Sequence, residues 1–143
     1  MPPPRPKEFE YHKQFARAVS ELGAIFADTD AFIRLKDIPS EIAFTVRFAI
    51  EEIFTNMVKY NPAGKSKILL CLTVEDGRFV VQLVDADSDY FDPTKAPELD
   101  LEAKLAQMKP GGLGIHLIKK MADEFLYDYS GRTSTLTIIK SLE

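Results

Sequence analysis

The segment from Ile42 to Tyr60 constrains the fold of this chain more than any other. Its apolar residues recur at intervals of three and four, which predicts a helix with one buried face. Glu52 and Asn56 are four residues apart, so their side chains project from the same side of this helix. A carboxylate there could accept a proton, and the amide oxygen is a hard ligand suited to Mg²⁺. The same spacing is common on the solvated edge of an amphipathic helix, so the pair alone leaves both interpretations open.

The composition is that of an ordinary globular protein and excludes several function classes. A length of 143 residues, 45% hydrophobic and 28% charged, favours one domain with a substantial core. The chain has neither an apolar run of about 18 residues nor a signal-peptide core, so we expect a cytoplasmic protein without membrane contact. A formal net charge of -4 gives no support for nucleic-acid binding. The single cysteine, Cys71, excludes an intrachain disulfide and is expected to be a buried small hydrophobe.

The rest of the chain reads as a proline-rich leader followed by one domain at residues 11–143. Residues 1–10 contain four prolines, and we expect them to be disordered. Apolar spacing predicts a first helix from about Tyr11 to Arg34, with a bend at Gly23 or at residues 27–30 left open. The helix from Ile42 should end at the breaker cluster Asn61–Gly64, and another helix is expected over Ile115–Phe125.

Strand-like runs flank two predicted turns. Asp76-Gly77 between two β-rich runs predicts a hairpin, and Ser130–Thr133 predicts a second one. The four runs are Lys67–Glu75, Arg78–Val84, Leu126–Tyr129 and Thr135–Lys140. The order of elements predicts an α+β two-layer sandwich, with helices on one face of a mixed, mostly antiparallel sheet. The polar segment Asp85–Pro110 reads as a long loop carrying a short helix at Leu99–Met108, and a loop of that length is usually functional.

Two further features have chemical content. Gly111, Gly112 and Gly114 precede a helix, so backbone amides and the positive helix end could bind a phosphate, although such glycines also serve simple turns. Four aspartates follow a strand between Asp85 and Pro93, and Asp85 or Asp87 could accept a hydrogen bond from an exocyclic amine such as that of adenine. A solvated turn is an equal alternative for this cluster, and calcium is disfavoured because the glycine and terminal glutamate of an EF-hand loop are missing.

Taken in order, these motifs resemble a known superfamily. Glu52-Ile-Phe-Thr-Asn56 resembles the N box of the ATPases shared by gyrase, heat-shock chaperones, histidine kinases and mismatch-repair proteins. Asp85–Pro93 is similar to the first glycine box as written in the anti-sigma-factor serine kinases. Pro110–His116 resembles the second glycine box, and Met121–Tyr127 is similar to the segment that comes after that box in those kinases. The resemblance covers about residues 39–140 and implies a histidine-kinase-like ATPase fold of the Bergerat type.

The resemblance implies a role for each matching residue. Asn56 would hold Mg²⁺ against the triphosphate of ATP, and Glu52 would deprotonate the attacking hydroxyl of a protein substrate. Asp85, or Asp87 in an alternative register, would contact the adenine amine. Thr135 or Thr137 would reach the adenine from the last strand, and residues 94–110 would form the ATP lid. The remaining nucleotide-binding positions would be Gly111, Gly112, Leu113, Gly114 and Ile115. Lys59 could help to neutralise the phosphate charge, although an ordinary surface lysine is an equal alternative.

The first glycine box departs from the family pattern. No glycine occurs between Asp85 and Pro110, and Asp87 stands where one is expected; in the alternative register Asp89 does. A negative charge is therefore expected near the nucleotide. Because the N box and the second glycine box are intact, we expect nucleotide binding to be retained, while kinase turnover is left open.

The resemblance also implies a function. It would be that of a homodimeric anti-sigma-type regulator that phosphorylates a small anti-anti-sigma (STAS-type) protein and sequesters a sigma factor. The first alternative is a protein-binding module of the same fold with vestigial nucleotide binding. A stand-alone histidine-kinase-like ATPase is disfavoured because no phosphoacceptor helix pair precedes the domain. His116 is expected to be a packing or rim residue.

Overall fold

The computed structural model describes residues 8–61, 64–90, 92–95 and 113–143. These ranges contain three α-helices and five β-strands, with 3₁₀ turns at Val19–Glu21 and Pro93–Lys95. The helices are α1 (Leu22–Leu35), α2 (Ser40–Tyr60) and α3 (Leu113–Met121). The strands are β1 (Tyr11–Phe15), β2 (Ile68–Glu75), β3 (Arg78–Asp85), β4 (Glu124–Ser130) and β5 (Thr133–Ser141).

The five strands form one sheet in the order β1-β2-β3-β5-β4, and every pairing between them is antiparallel. Asp76 and Gly77 join β2 to β3 with positive φ angles of 53° and 71°, as a two-residue hairpin turn of type I′ requires. Gly131 and Arg132 join β4 to β5 in the same way, with φ angles of 54° and 62°. Both predicted hairpins are confirmed.

The helices and the sheet share one core on one face of the sheet. Alternate residues of β3, namely Phe79, Val81 and Leu83, enter this core because successive side chains of a strand point to opposite faces. Phe32 of α1 stacks on Phe79 with ring centroids 5.7 Å apart. The fully buried side chains that α2 contributes are Val46, Ala49, Ile50, Ile53 and Phe54. The predicted α+β two-layer arrangement is therefore confirmed, with a sheet that is antiparallel throughout its described strands.

The opposite face of the sheet carries a smaller buried cluster. Phe9, Cys71, Val80 and Ile139 form it, and the Cys71 side chain is fully buried as predicted. None of the helices in the described part of the chain is long and apolar enough to cross a membrane.

The predicted first helix is wrong at its N-terminal end. Tyr11–Phe15 is strand β1, paired with β2, and α1 begins only at Leu22. Tyr11 and Phe15 are the inward residues of β1, and their four-residue spacing fits a helical period as well as a strand period. The pairing with β2 decides between the two. From Leu22 onwards α1 is continuous through Gly23 and residues 27–30.

The predicted helix over Ile115–Phe125 also differs at one end. Helix α3 stops at Met121, and Phe125 lies in β4 opposite Ile138. The backbone amide of Asp123 donates to the Ile139 carbonyl (3.0 Å). The chain is therefore already bonded to β5 before the helical spacing of apolar residues in the sequence ends. The expected loop helix and most of the expected lid fall outside the described residues.

Only the end of the expected leader is described. Phe9 is buried, and the Glu10 carboxylate accepts hydrogen bonds from the Val74 amide (2.9 Å) and from the Thr73 hydroxyl (3.2 Å). These contacts tie residues 9 and 10 to strand β2.

Candidate functional site

A cavity lies between the C-terminal half of α2, the end of β3 and the first turn of α3. Apolar side chains form much of its wall, and a few polar groups converge on it, as in small-molecule sites generally. The described lining residues include Ile53, Asn56, Met57, Asp85, Ser88, Asp89, Ile115, Tyr127, Ser134 and Leu136. The sequence-predicted residues Asn56, Asp85 and Ile115 are thus brought together.

Glu52 lies one helical turn before Asn56, beside the cavity. Among the residues that the structure describes, none donates a hydrogen bond to the Glu52 carboxylate or bonds to the Asn56 carboxamide. Partial burial raises the pKa of Glu52, the neighbouring Glu51 charge adds to the rise, and Lys59 opposes it. A carboxylate with a raised pKa and no bonded partner is suited to accept a proton.

Gly114 lies directly against the Glu52 side chain. A Cβ atom at Gly114 would be 2.1 Å from Cδ of Glu52 and 2.4 Å from Oε1, closer than any real contact. The glycine therefore leaves room for the Glu52 side chain in its present position between α3 and α2. The sequence predicts a phosphate cradle at Gly111, Gly112 and Gly114. The first two lie outside the described residues, and the third makes room for Glu52.

Asp85 lines the cavity and is held from behind by Arg17. Arg17 Nη1 donates to Asp85 Oδ2 (3.0 Å), and Nη2 donates to Oδ1. The two side chains are only 5% and 2% exposed. Arg17 Nη1 also donates to the Met57 carbonyl (3.2 Å), which ties the pair to α2. Sequence reasoning missed Arg17, because nothing in its neighbourhood indicates a partner 68 residues away.

Two other aspartates of the cluster, Asp87 and Asp89, are paired with a second arginine. Arg132 donates to Asp87 Oδ1 (3.0 Å) and to Asp89 Oδ1 (3.0 Å). The Lys65 amide donates to Asp87 Oδ2 (3.2 Å), and together with Arg132 it lowers the pKa of Asp87 below its ordinary value. Asp87 faces this turn and is absent from the cavity lining, whereas Asp89 lines the cavity. The predicted charge near the nucleotide position is therefore paired with Arg132.

Three hydroxyl groups lie on the same wall as Asp85. Ser134 is the register partner of Asp85 on β5, and its Oγ is 2.6 Å from Ser88 Oγ and 3.0 Å from the Tyr127 hydroxyl. Sequence reasoning missed these residues. The signal available was strand alternation, which places Ser134 and Leu136 on one face and Thr135 and Thr137 on the other.

The threonines predicted to reach the adenine are therefore on the wrong face. The Thr137 hydroxyl accepts a hydrogen bond from Gln82 Nε2 (3.1 Å) on the far side of the sheet, and Thr135 shares that side. Lys59 is exposed and does not line the cavity, with its ammonium 5.5 Å from the centroid of the Tyr60 ring. His116 is buried, as expected for a packing residue.

Comparison with known proteins decides the family. A family model described as the histidine kinase-like ATPase domain matches residues 15–140. The chain belongs to this family. No match was found among curated proteins. Among solved structures, a chain in the crystal structure of the SiaB-SiaC complex from Pseudomonas aeruginosa is similar to this ATPase domain. The sequences are 17% identical, the match covers 92% of this chain and 89% of that one, and the TM-score is 0.71, which shows a shared fold.

Proposed function

We propose that this chain is an ATP-dependent, cytoplasmic regulatory kinase. It phosphorylates a Ser or Thr of a small anti-anti-sigma (STAS-type) protein, sequesters a sigma factor and acts as a homodimer. The observation that carries this proposal is the pairing of Glu52 and Asn56 on one side of α2, where no other described residue hydrogen-bonds to either polar group. Asn56 lines a cavity whose wall also includes Asp85. The ATPase family supports the nucleotide, and the occurrence of the same fold in a complex of two proteins supports a protein partner.

The residues present fit Mg²⁺ and ATP. The Asn56 carboxamide oxygen is a hard ligand with no bonded partner among the described residues, and it would hold Mg²⁺. Asp85, Ser88 and Ser134 would bind the base. The amides of the first turn of α3, at Leu113 to Ile115, have no partner within the helix and would bind phosphate oxygens at its positive end. Bound ATP supplies the phosphoryl group, and the metal neutralises its charge.

Glu52 is the proposed base. Its raised pKa makes it a stronger base towards the proton of a Ser or Thr hydroxyl, and Gly114 leaves room for its side chain between α2 and α3. Lys59 opposes this rise in the pKa of Glu52. This separation of tasks predicts that loss of Glu52 stops transfer and spares nucleotide binding.

One observation favours a second candidate, a non-catalytic protein-binding module. The Asp85 carboxylate already has a buried arginine as partner, so its capacity for a nucleotide base is reduced. In this module the fold would bind another protein, and substitution of Glu52 or Asn56 would leave that binding unchanged.

Titration calorimetry with ATP and ADP, with and without Mg²⁺, distinguishes the two candidates. The kinase proposal predicts micromolar, Mg²⁺-dependent binding that weakens in Asn56→Ala. The control Thr55→Ala, one residue away on α2, should bind like the wild type because its hydroxyl bonds to the helix backbone. Absence of heat up to millimolar nucleotide, about -4 kcal/mol or weaker, would refute the kinase proposal and favour the module.

Phosphoryl transfer to the acceptor protein tests the base. Glu52→Ala should abolish transfer while ATP affinity stays within about twofold of wild type, because Glu52 does not line the cavity. Glu41→Ala, in the exposed first turn of α2, is the matched control and should transfer normally. Transfer at the wild-type rate in Glu52→Ala would assign the base to another residue.

A further inference from the structure

The hydrogen bonds of Asp85 leave it with a restricted capacity for a ligand. A carboxylate has about four lone-pair positions, two on each oxygen. Arg17 occupies one on Oδ1 and one on Oδ2, and the Asp87 amide takes the second position on Oδ1 (3.1 Å). With respect to the described residues, one acceptor position, on Oδ2, is left in a side chain that lines the cavity.

The surroundings of Arg17 keep this arrangement rigid. Its Nε is buried without a partner among the described residues, so the polar atoms of the guanidinium group bond only to Asp85 and the Met57 carbonyl. Gly64 lies against the group, and a Cβ there would be 2.8 Å from both Cζ and Nε of Arg17. Asn61 Nδ2 donates to the Asp87 carbonyl, which holds the turn that presents the Asp87 amide to Asp85.

We infer that Arg17 is the positioning residue for base recognition and determines which purine the site prefers. By occupying both oxygens of Asp85, it fixes the plane of the carboxylate and leaves a single acceptor. That acceptor suits a purine with a hydrogen-bond donor at position 6 and rejects one with a carbonyl there, which would set two acceptors against each other. The inference rests on the proposed nucleotide binding and adds to it the residue that sets the base preference.

Arg17 also explains how the cluster functions without a glycine two residues after Asp85. The residue at that position, Asp87, uses its backbone amide to orient Asp85, while Arg132 and the Lys65 amide hold its side chain away from the cavity. Arg17 thus positions Asp85 and Arg132 positions Asp87 in a box that has no glycine.

The test is the ratio of the dissociation constants of ITP and ATP, measured by calorimetry in Mg²⁺. ITP carries a carbonyl at position 6 and a hydrogen on N1, whereas ATP carries an amino group at position 6 and an unprotonated N1; the two nucleotides are otherwise alike. The wild type should prefer ATP by about ten- to a hundredfold, the range for a hydrogen bond to a charged group. In Arg17→Met the ratio should fall below about threefold, because the Asp85 carboxyl group is then no longer held in one plane and its remaining acceptor is not fixed against the group at position 6.

The ratio of the dissociation constants of ITP and ATP shows whether Arg17 positions Asp85 or only stabilises the fold. Partial unfolding lowers the apparent affinity for both nucleotides by the same factor, so it leaves the ratio unchanged. Arg17→Lys keeps the charge without the planar fork and should give an intermediate ratio. Gly64→Ala changes no charge and should also lower the ratio, because the new Cβ would be 2.7 Å from Asn61 Nδ2 and 2.8 Å from Cζ and Nε of Arg17, so the groups that position Asp85 have to shift. Gly64→Ala therefore carries the test if Arg17→Met fails to fold.

Arg47→Met is the matched control. Arg47 also pairs with an aspartate, Asp30 (3.0 Å), but on the exposed surface of α1 and α2, and its loss should leave the ratio unchanged. Equal affinity of the wild type for ATP and ITP would overturn the inference and leave the proposed function standing. A ratio unchanged in both Arg17→Met and Gly64→Ala would overturn it too, since Arg17 would then be structural. Failure of the wild type to bind either nucleotide would refute the proposed function and this inference together.

Discussion

Substitution of Gly114 by alanine should move the Glu52 side chain and lower the rate of phosphoryl transfer while changing the stability of the fold only slightly. The new Cβ would be 2.1 Å from Glu52 Cδ and 2.5 Å from Cγ. Carbon atoms pack at about 3.5–4.0 Å, so the carboxyl group has to move by more than about 1 Å. A displacement of that size in a catalytic group costs about a hundredfold in rate. We therefore expect phosphoryl transfer to fall by about two orders of magnitude in Gly114→Ala.

The effect on stability should be small by comparison. Overpacking costs about 1–3 kcal/mol, and the lower end applies because the half-buried Glu52 side chain can turn towards solvent. Alanine also has a helix propensity about 1 kcal/mol better than that of glycine, which offsets part of this cost. The net change in the free energy of unfolding should be about 1 kcal/mol or less, a shift in Tm of about 2–4 °C or less.

The assay is transfer to the acceptor protein, accompanied by urea denaturation and ATP titration of the same samples. Gly23→Ala in α1 is the control, because among the described residues no atom outside the neighbouring helix backbone lies within 4 Å of the position of its Cβ. This control should keep full activity. Transfer at the wild-type rate in Gly114→Ala would refute the assignment of Glu52, in its observed position, as the base. Equal losses of ATP affinity and of transfer would show that Gly114 acts at the phosphates rather than through Glu52.

Burial and charge give three further predictions. Because the pKa of Glu52 is raised in the folded state, its charge opposes folding above that pKa. Glu52→Gln should therefore be more stable than the wild type at pH 7, and the difference should vanish as the pH falls below the ordinary pKa of glutamate. Urea denaturation at pH 7 and at such a low pH measures this, and equal stability of the two proteins at pH 7 would contradict it. Phe54→Ala removes a fully buried ring and should cost about 3–5 kcal/mol, whereas Phe44→Ala, at 63% exposure, should cost under about 0.5 kcal/mol. Burial raises the pKa of the Cys71 thiol to about 12, so it should react with a thiol reagent only in denaturant, and rapid labelling of the native protein would show that the sheet opens.

The elements that were predicted correctly are determined by residues that lie close together in the sequence. The apolar stripe of α2 repeats over a few turns, and it predicted both the buried face and the shared side of Glu52 and Asn56. Asp76 and Gly77 are adjacent, and their tolerance of positive φ predicted the first hairpin. The order of these motifs was enough to indicate the family, because each motif is a short, continuous stretch.

The errors arose where two local patterns were equally possible. The spacing of Tyr11 and Phe15 fits both a helix and a strand, and only the hydrogen-bonded pairing with β2 makes this segment a strand. The β-rich run at the end of the chain predicted β5, but it did not predict which alternate residues face the helices. The register with β3 settles this, since it sets Ser134 opposite Asp85 and so places Thr135 on the far side.

The chemistry of the candidate site depended most on the tertiary structure. Arg17 and Asp85 are 68 residues apart, and Gly114 meets Glu52 across the contact of α2 with α3. Sequence by itself determined the helix, the hairpins and the motif residues, because those depend on backbone preferences and spacing within a few residues. Only the packed structure decided the partners of Asp85 and Glu52, because a buried charge or a close approach is created when distant segments exclude water from the same place.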